Sequence, residues 1–438
     1  FEEITIDNYR EGILLGMEEQ KAEIEAIINN PEEPTFQNTI VAMDQSGKLL
    51  RKVRGTFSPL TSSNSTEESR ALEKELSPLM SAHSDDINLN EKLFARVKKV
   101  YDNRENIKLT PEEKTVLENI YKRFVNSGAE LSETEKEKLR ELNQQLSMLE
   151  LTFSQNLLHE TNNTFVVANS LEELKGLPQA NIDAAAKMAA DNGQPGKWMF
   201  NMQRPSCNPV LQYCENRDLR KKVYDAYYNR GNTGNEYDSK EICRQLVTLR
   251  LEKAKLMGYN NYAEMVLEDR MAKTPEAVFE LLDQVWEPAV AKAKEELDDI
   301  RAEIRKEGKD FEPAGWDYMY YLDKAKRAKY SVDEQEIREY MEINNVMKGV
   351  FHVATQLYGV TFKEITADVP AYEPTAKAYE VIDKDGTVLA IFYSDNYPRE
   401  SKRAGAWCTS FRGQSYDGEE RIIPIVVNST NMTAPTGD

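Results

Sequence analysis

Hydrophobic residues recur every three or four positions along most of the chain, which is the spacing of amphipathic helices. The clearest case follows Ser132 to Glu135, a pattern typical of a helix capping box. From Phe1 to about Asp368 we therefore expect a mainly helical chain. The apolar positions after the capping box are Leu139, Leu142, Leu146, Leu149, Phe153 and Leu157.

Start and stop signals support this helical pattern. Thr110-Pro111 and Thr274-Pro275 each place a capping side chain before a proline at the first helical position. Gly308 and Gly359 follow periodic stretches, where glycine can take the left-handed conformation that ends a helix. Pro288 predicts a kink or a division in the helix that begins at 275.

Only the stretch from Tyr379 to Asn428 has the pattern of a β-sheet. Two apolar runs, 379–383 and 387–393, flank Asp385-Gly386, which predicts a hairpin with a type I′ turn. The second run is apolar at both alternating positions, so we expect helices to cover it above and below. Two further strands are predicted over 405–411 and 422–428.

Composition excludes several classes of protein. The 438 residues are 40% hydrophobic and 30% charged, as in soluble globular proteins. A net charge of −19 disfavours nucleic acid as a partner, since phosphate binding needs a basic surface. No apolar run approaches the ~20 residues of a membrane helix, so we expect no membrane partner. The start at Phe1 shows no signal-peptide pattern, although a processed start would look identical, so a cytoplasmic protein is expected and a periplasmic one is the alternative.

The cysteines and histidines predict no assembled metal site. Four cysteines with irregular spacing lack a C-x-x-C pair, and we expect reduced thiols. A metal pair at Cys207 and Cys214 is the less favoured alternative. His83 lies in a polar stretch that predicts an exposed loop or cap, and His159 and His352 fall on or beside helix faces, where a lone histidine is usually structural.

Several motifs carry a resemblance to a known family. F-Y-S-D-N-Y at 392–397, R-E-S-K-R-A-G-A-W at 399–407 and P-I-V-V-N at 424–428 resemble the thimet oligopeptidase family of zinc metallopeptidases. L-E-D-R-M-A-K-T-P-E-A at 267–277 and W-D-Y-M-Y-Y at 316–321 resemble its bacterial peptidyl-dipeptidase branch. The likeness extends over essentially the whole chain.

The family's zinc helix carries H-E-x-x-H, in which two histidines one turn apart bind zinc beside a glutamate base. The 438 residues contain no such motif. The resemblance therefore implies the N-terminal portion of a zinc peptidase that removes C-terminal dipeptides from short peptides, with zinc bound by the parent protein and not by this chain. We expect no catalytic and no metal-ligating residue here, and no activity from this chain alone. Oligopeptidase A-like cleavage stays open as the specificity.

The resemblance also implies the architecture. We expect two interleaved helical halves that wall a channel, with a small β-sheet at about 379–428. The expected domains are a first helical half over 1–160, a second over 161–345, and a return to the first half over 346–438. A monomer is expected.

Gly405, Ala406 and Trp407 are the candidate substrate-binding residues. Small side chains let another backbone approach, and an unpaired strand edge can accept a peptide as an added strand. The alternative is a tight bend beside a buried tryptophan. The aromatic residues at 316–321 could line a peptide channel, but helix packing is the favoured interpretation.

A second function stays open. The chain could instead be a non-catalytic helical protein that binds peptides or another partner. A gene that continues into H-E-x-x-H would exclude this alternative.

Overall fold

A computed structural model describes residues 3–369 and 371–434. The chain divides into two compact units, each built from separate stretches of sequence. The first unit comprises 1–155 and 240–275, and the second comprises 156–239 and 276–438. The division expected at residues 160 and 345 stays a prediction.

Helices make up more than half of the described residues, which confirms the predicted mainly helical class. Thr5, Thr66 and Thr110 each cap a helix by accepting a hydrogen bond from the N–H three residues later. None of the helices within the described ranges is long and apolar enough to cross a membrane. In chain order the helices are α1 (Ile6–Ile28), α2 (Ala42–Gln45), α3 (Lys48–Ser63), α4 (Glu67–Asn88), α5 (Glu91–Asp102), α6 (Pro111–Asn126), α7 (Glu133–Asn163), α8 (Gln179–Asp191), α9 (Arg204–Tyr213), α10 (Arg217–Tyr228), α11 (Lys240–Leu256), α12 (Tyr262–Leu267), α13 (Pro275–Lys306), α14 (Gly315–Tyr330), α15 (Glu334–Tyr340) and α16 (Ile343–Tyr358).

The predicted helix boundaries are largely confirmed. α6 begins at Pro111 behind a capping box formed by Thr110 and Glu113. α13 begins at Pro275 and continues through Pro288, so the helix is not divided there, and the alternative of a kink stays a prediction. Gly308 and Gly359 have φ of 71° and 73°, the left-handed conformation expected after a helix end.

Each unit has its own hydrophobic core. In the first unit, Ile40, Leu93 and Phe124 are buried in one cluster, and Ile13 and Leu72 are buried in another. In the second unit, the main cluster joins the first strands to α9 and α10. Its fully or almost fully buried members include Ala168, Leu174, Phe200, Met202, Cys207, Val210, Cys214, Leu219 and Val223.

The C-terminal sheet has five strands within the described residues, in the order β3-β4-β5-β9-β6. β5 and β9 are parallel, and the other neighbours are antiparallel. Two short ribbons, β1 with β2 and β7 with β8, lie apart from it. β1, β2 and β3 lie outside the stretch predicted to form a sheet. The strands are β1 (Phe165–Ala168), β2 (Trp198–Asn201), β3 (Thr361–Glu364), β4 (Lys377–Ile382), β5 (Val388–Asp395), β6 (Trp407–Arg412), β7 (Ser415–Asp417), β8 (Glu420–Ile422) and β9 (Ile425–Ser429).

The turn between β4 and β5 differs from the predicted type I′ turn. Asp383 N–H donates to Thr387 O at 2.9 Å, and Gly386 N–H donates to Asp383 O at 3.0 Å. Gly386 has φ of 89°, whereas Asp385 is not among the described residues with positive φ. A type I′ turn needs positive φ at both central residues. The hairpin is therefore confirmed, but its loop has three residues and ends in a left-handed glycine.

Aromatic side chains cover both faces of β5. On one face the ring centroid of Phe351 in α16 lies 6.5 Å from that of Phe392 in β5. Phe351 also stacks on Phe362 of β3, with ring centroids 4.1 Å apart. On the other face Tyr393 meets Tyr372, with centroids 6.2 Å apart. Tyr372 belongs to the segment between β3 and β4. A helix thus covers one face as expected, whereas on the second face Tyr393 meets a loop residue where a helix was expected.

Candidate functional site: a free strand edge and its anchored loop

β6 is an edge strand of the C-terminal sheet. It pairs with β9 on one side, from Trp407 opposite Ser429 to Arg412 opposite Ile425, with an irregularity between Ser410 and Arg412. Its other side pairs with no strand in the part of the chain that the structure describes. Along such an edge, alternate residues direct N–H and C=O groups outward, where another extended chain can bind them.

Gly405 and Ala406 form the bend that leads into this edge, and Trp407 is the first residue of β6. Gly405 has φ of 103°, which favours glycine, yet a Cβ there would meet no atom within 4 Å. Its glycine is therefore explained by backbone conformation rather than by close packing within the chain. Trp407 is half-buried and Ala406 is exposed. Asn431 Nδ2 donates to Gly405 O at 2.7 Å and so fixes the bend.

The loop before the bend is anchored by Asp395, at the end of β5. Lys402 Nζ lies 2.7 Å from Asp395 Oδ1, and the Arg399 guanidinium contacts both carboxylate oxygens at 2.8 Å. The Tyr372 hydroxyl donates to Oδ2 at 2.8 Å. The Asp395 and Lys402 side chains are both 0% exposed. These residues form a buried clamp that determines the path of the loop.

Electrostatics favour the ionised clamp. Burial raises the pKa of Asp395, but the hydrogen bonds and charges of Arg399 and Lys402 outweigh it, so that this pKa lies below its ordinary value. Burial lowers the pKa of Lys402, and Asp395 opposes this effect. Burial raises the pKa of Tyr372, and the adjacent carboxylate raises it further. The clamp is thus a structural ion cluster, in which Asp395 and Lys402 are fully buried and Arg399 is 16% exposed.

Residues far away in sequence hold the other side of the same loop. Asn162, at the end of α7, donates through Nδ2 to Glu400 O at 2.7 Å. Gln203, just before α9, donates through Nε2 to Arg399 O at 3.2 Å and to Asn162 Oδ1 at 2.9 Å. The loop is therefore held on both sides by hydrogen bonds. Sequence patterns did not identify Asn162 or Gln203, because the contact depends on the tertiary fold.

The three histidines lie on separate elements. His83 is only 4% exposed on α4, where its Nε2 lies 2.8 Å from Gln20 Oε1, so the expected exposed loop is wrong. His159 stacks on Tyr237 with centroids 3.6 Å apart, and His352 is exposed on α16. Among the described residues, no group of three or more His, Cys, Asp or Glu side chains could hold a metal ion.

Cys207 and Cys214 are buried in the main core of the second unit. Burial raises the pKa of Cys207 to about 11 and also raises that of Cys214. Both thiols are therefore less acidic than an exposed cysteine. Their environment favours a role in packing.

The aromatic residues at 316–321 lie at the start of α14. Tyr320 and Tyr321 are buried against Ile300 and Ile304 of α13. Asp317 is fully buried and accepts hydrogen bonds from Arg217 and Arg220. This part of α14 therefore packs as a helix, as the favoured interpretation of the sequence states.

Comparison with known proteins identifies the family. The model of "Peptidase family M3" matches residues 210–438. The chain is 35% identical over 436 residues to the dipeptidyl carboxypeptidase of Escherichia coli (strain K12), covering 99% of this chain and 64% of that protein. It is 29% identical over 443 residues to the oligopeptidase A of Haemophilus influenzae, covering 100% of this chain and 65% of the relative.

A plant relative also matches the whole of this chain with only part of its own length. The chloroplast and mitochondrial oligopeptidase A of Arabidopsis thaliana is 28% identical over 451 residues. The match covers 100% of this chain and 57% of the plant protein. The chain thus spans just under two thirds of the length of the first curated relatives that it matches. The family match covers more than half of the chain and includes the clamp, the bend and β6. The chain therefore belongs to peptidase family M3, in agreement with the thimet oligopeptidase resemblance of its sequence.

Proposed function

We propose that this chain is part of a longer zinc-dependent peptidase that removes dipeptides from the C-termini of short peptides. In this proposal the peptide backbone binds at the bend formed by Gly405 and Ala406 and along the free edge of β6, which begins at Trp407. The observation that carries the proposal is a strand edge that pairs with no other described strand and lies within the region that matches a peptidase family. The dipeptidyl carboxypeptidases of two bacteria are among the relatives at 34% identity or more.

The edge suits a substrate defined by its backbone. A peptidase that accepts many side chains must bind the groups that all peptides share, and a strand edge offers alternating donors and acceptors in register with an extended chain. The buried clamp around Asp395 and the hydrogen bonds from Asn162 and Gln203 hold the loop that leads into this edge. Such a prearranged edge binds substrate with little loss of conformational entropy.

Zinc does not fit the residues that the structure describes, since their side chains include no group of three ligands that could hold it. We assign the zinc and the general base to the part of the relatives' length that this chain does not span. A zinc ion with one open coordination position supplies an activated water for peptide hydrolysis. The residues of this chain bind and orient the peptide, and the chain alone is inactive.

The test uses the longer enzyme with one peptide in two forms, a free acid and a C-terminal amide. We expect dipeptide release from the free acid, little cleavage of the amide, and loss of activity with a chelator that added zinc restores. Full activity after chelation would exclude the metallopeptidase. Equal cleavage of both forms would favour oligopeptidase A-like specificity instead. Binding of both forms without any cleavage would favour the non-catalytic peptide-binding protein.

A further inference from the structure

Three cations lie within the loop that precedes β6, and they have different environments. Lys402 is buried, Arg399 is mostly buried, and both pair with Asp395. Arg403 is exposed, and within the described ranges no carboxylate forms an ion pair with it. Its guanidinium carbon lies 4.7 Å from the centre of the Trp407 ring. Beside the free edge, the exposed guanidinium of Arg403 therefore has no counter-ion among the described residues.

The Trp407 ring holds this guanidinium at one end of the edge. A cation above an aromatic face is attracted to the ring, and the N–H groups at the guanidinium rim stay available for other partners. Trp407 begins β6, so the charge lies at the N-terminal end of the strand. Asn431 Nδ2 donates to Arg403 O at 3.0 Å, which holds the backbone of Arg403 in place.

Strand polarity determines which end of a peptide reaches this charge. A peptide that pairs antiparallel with β6 places its C-terminus at the N-terminal end of the strand. There its carboxylate would meet Arg403. Each extended residue advances about 3.4 Å, so the bond that releases a dipeptide would lie roughly 7 Å further along β6. That distance corresponds to the region of Cys408 and Thr409, directly after Trp407.

The acidic charge of the chain favours a local cation for this role. A net charge of −19 disfavours the approach of an anion, and a cation at the site offsets this effect locally. Arginine is well suited to this role, since its planar guanidinium binds both oxygens of a carboxylate. Arg399 and Lys402 are less available, because both pair with Asp395 and Arg399 also lies 3.5 Å from Glu373.

We propose that Arg403 binds the C-terminal carboxylate of the substrate and so sets the distance from that carboxylate to the cleaved bond. This inference rests on the proposed function, in which the peptide lies along β6. It adds two features to that function. Arg403 determines specificity, and the bound peptide runs antiparallel to β6. The ligand chemistry is a carboxylate, which a peptide carries at its C-terminus or on an acidic side chain.

The experiment compares Arg403→Ala and Arg403→Lys in the longer enzyme with Lys384→Ala as the control. Lys384 is an exposed cation on the β4–β5 turn, so its replacement removes the same charge far from the edge. Each variant is assayed with three peptides, which carry a free C-terminus, a C-terminal amide, or an amide with glutamate as the last residue. The third peptide distinguishes binding of the terminal carboxylate from binding of an acidic side chain.

For Arg403→Ala we expect KM for the free acid to rise about tenfold to hundredfold, with a smaller change in kcat, because a charge-assisted contact is lost. The preference for free acid over amide should disappear. Arg403→Lys should recover part of it, and Lys384→Ala should retain it fully. Circular dichroism and thermal unfolding of each variant verify that the fold is unchanged.

Two results would overturn the inference while leaving the proposed function intact. One is an Arg403→Ala enzyme with the parental preference for the free acid. The other is cleavage of the amidated glutamate peptide as efficiently as the free acid, which would show that Arg403 binds acidic side chains. A parental enzyme that shows no preference would contradict both proposals.

A binding measurement with the 438-residue chain tests the inference without any need for catalysis. The same three peptides, labelled at the N-terminus, are titrated with the chain and followed by fluorescence anisotropy. We expect the free acid to bind more tightly than the amide, and Arg403→Ala to remove the difference. Equal binding of the free acid by the parental chain and by Arg403→Ala would contradict the inference even if the longer enzyme is inactive.

Discussion

At the scale of single residues, Asp395 determines the loop beside the candidate site. It accepts hydrogen bonds from Tyr372, Arg399 and Lys402, and its side chain is fully buried. Breaking a buried ion pair from one side is costly, because the partner keeps its charge without compensation. The motif at 399–407, which carried the family resemblance, thus contains structural as well as exposed cations.

We predict that Asp395→Asn destabilises the protein by about 3–5 kcal/mol, since Lys402 then remains charged and buried without its partner. The midpoint of urea denaturation, followed by circular dichroism, measures the change. Asp368→Asn is the matched control, because Asp368 is exposed, and a surface substitution of this kind changes stability by roughly 0.5 kcal/mol or less. Equal midpoints for Asp395→Asn and the control would contradict the clamp.

The same variant carries a pH signature. The folded-state pKa of Asp395 is depressed, so its stabilisation is complete above the ordinary carboxyl pKa of about 3.9 and is lost as the pH falls through the folded value. The stability of Asp395→Asn should therefore fall less steeply than that of the parent at acidic pH. Parallel acid-denaturation curves for parent and variant would show that Asp395 does not contribute in this way.

At the scale of elements, the edge of β6 offers a test of substrate binding. Ala406 immediately precedes the strand, and proline there removes one amide donor and stiffens the backbone. In the longer enzyme we expect Ala406→Pro to lower kcat/KM by about tenfold to hundredfold, which corresponds to the roughly 1–3 kcal/mol of a lost hydrogen bond. Zinc content and folding should be retained.

Ala406→Gly is the control for this substitution, because it also changes the side chain but keeps the N–H group. It should retain most of the parental kcat/KM. If Ala406→Pro folds, keeps its metal and cleaves peptides at the parental rate, the edge does not bind substrate. Gly405 to Trp407 would then be a bend that leads into the sheet.

Another element shows where helical periodicity is informative and where it is not. In α13, Phe279, Leu282 and Trp286 follow the three- and four-residue steps of an amphipathic helix. The helix forms, yet these side chains are 62%, 49% and 69% exposed among the described residues. Periodicity reports local helix formation, whereas burial depends on which other segment packs against the helix.

At the scale of the whole molecule, metal content separates this chain from the proposed longer enzyme. We predict that the dialysed 438-residue chain retains far less than one zinc per molecule, because His83, His159 and His352 lie on separate helices. Elemental analysis by mass spectrometry measures the content, and the longer enzyme is the positive control. One tightly held zinc per chain, lost when any of these histidines is replaced, would overturn the expectation.

Local chemistry in the sequence was sufficient for the helices, for the hairpin and for the family. Thr110 and Pro111 predict the start of α6 because capping involves neighbouring residues only. Asp385-Gly386 predicts a hairpin but not its loop, since the turn type also depends on the strand register that the loop must join. The family motifs at 392–407 were readable because they are contiguous in the chain.

Only the tertiary structure decided which members of those motifs are available to a ligand. Arg399, Lys402 and Arg403 carry the same charge within five positions. Their roles differ because Asp395 pairs with the first two, Glu373 also pairs with Arg399, and Trp407 holds the third. The insertion of β9 between β5 and β6, which makes β6 an edge, also depends on pairing between distant segments. Such contacts follow from packing of the whole unit, and no local pattern of residues encodes them by itself.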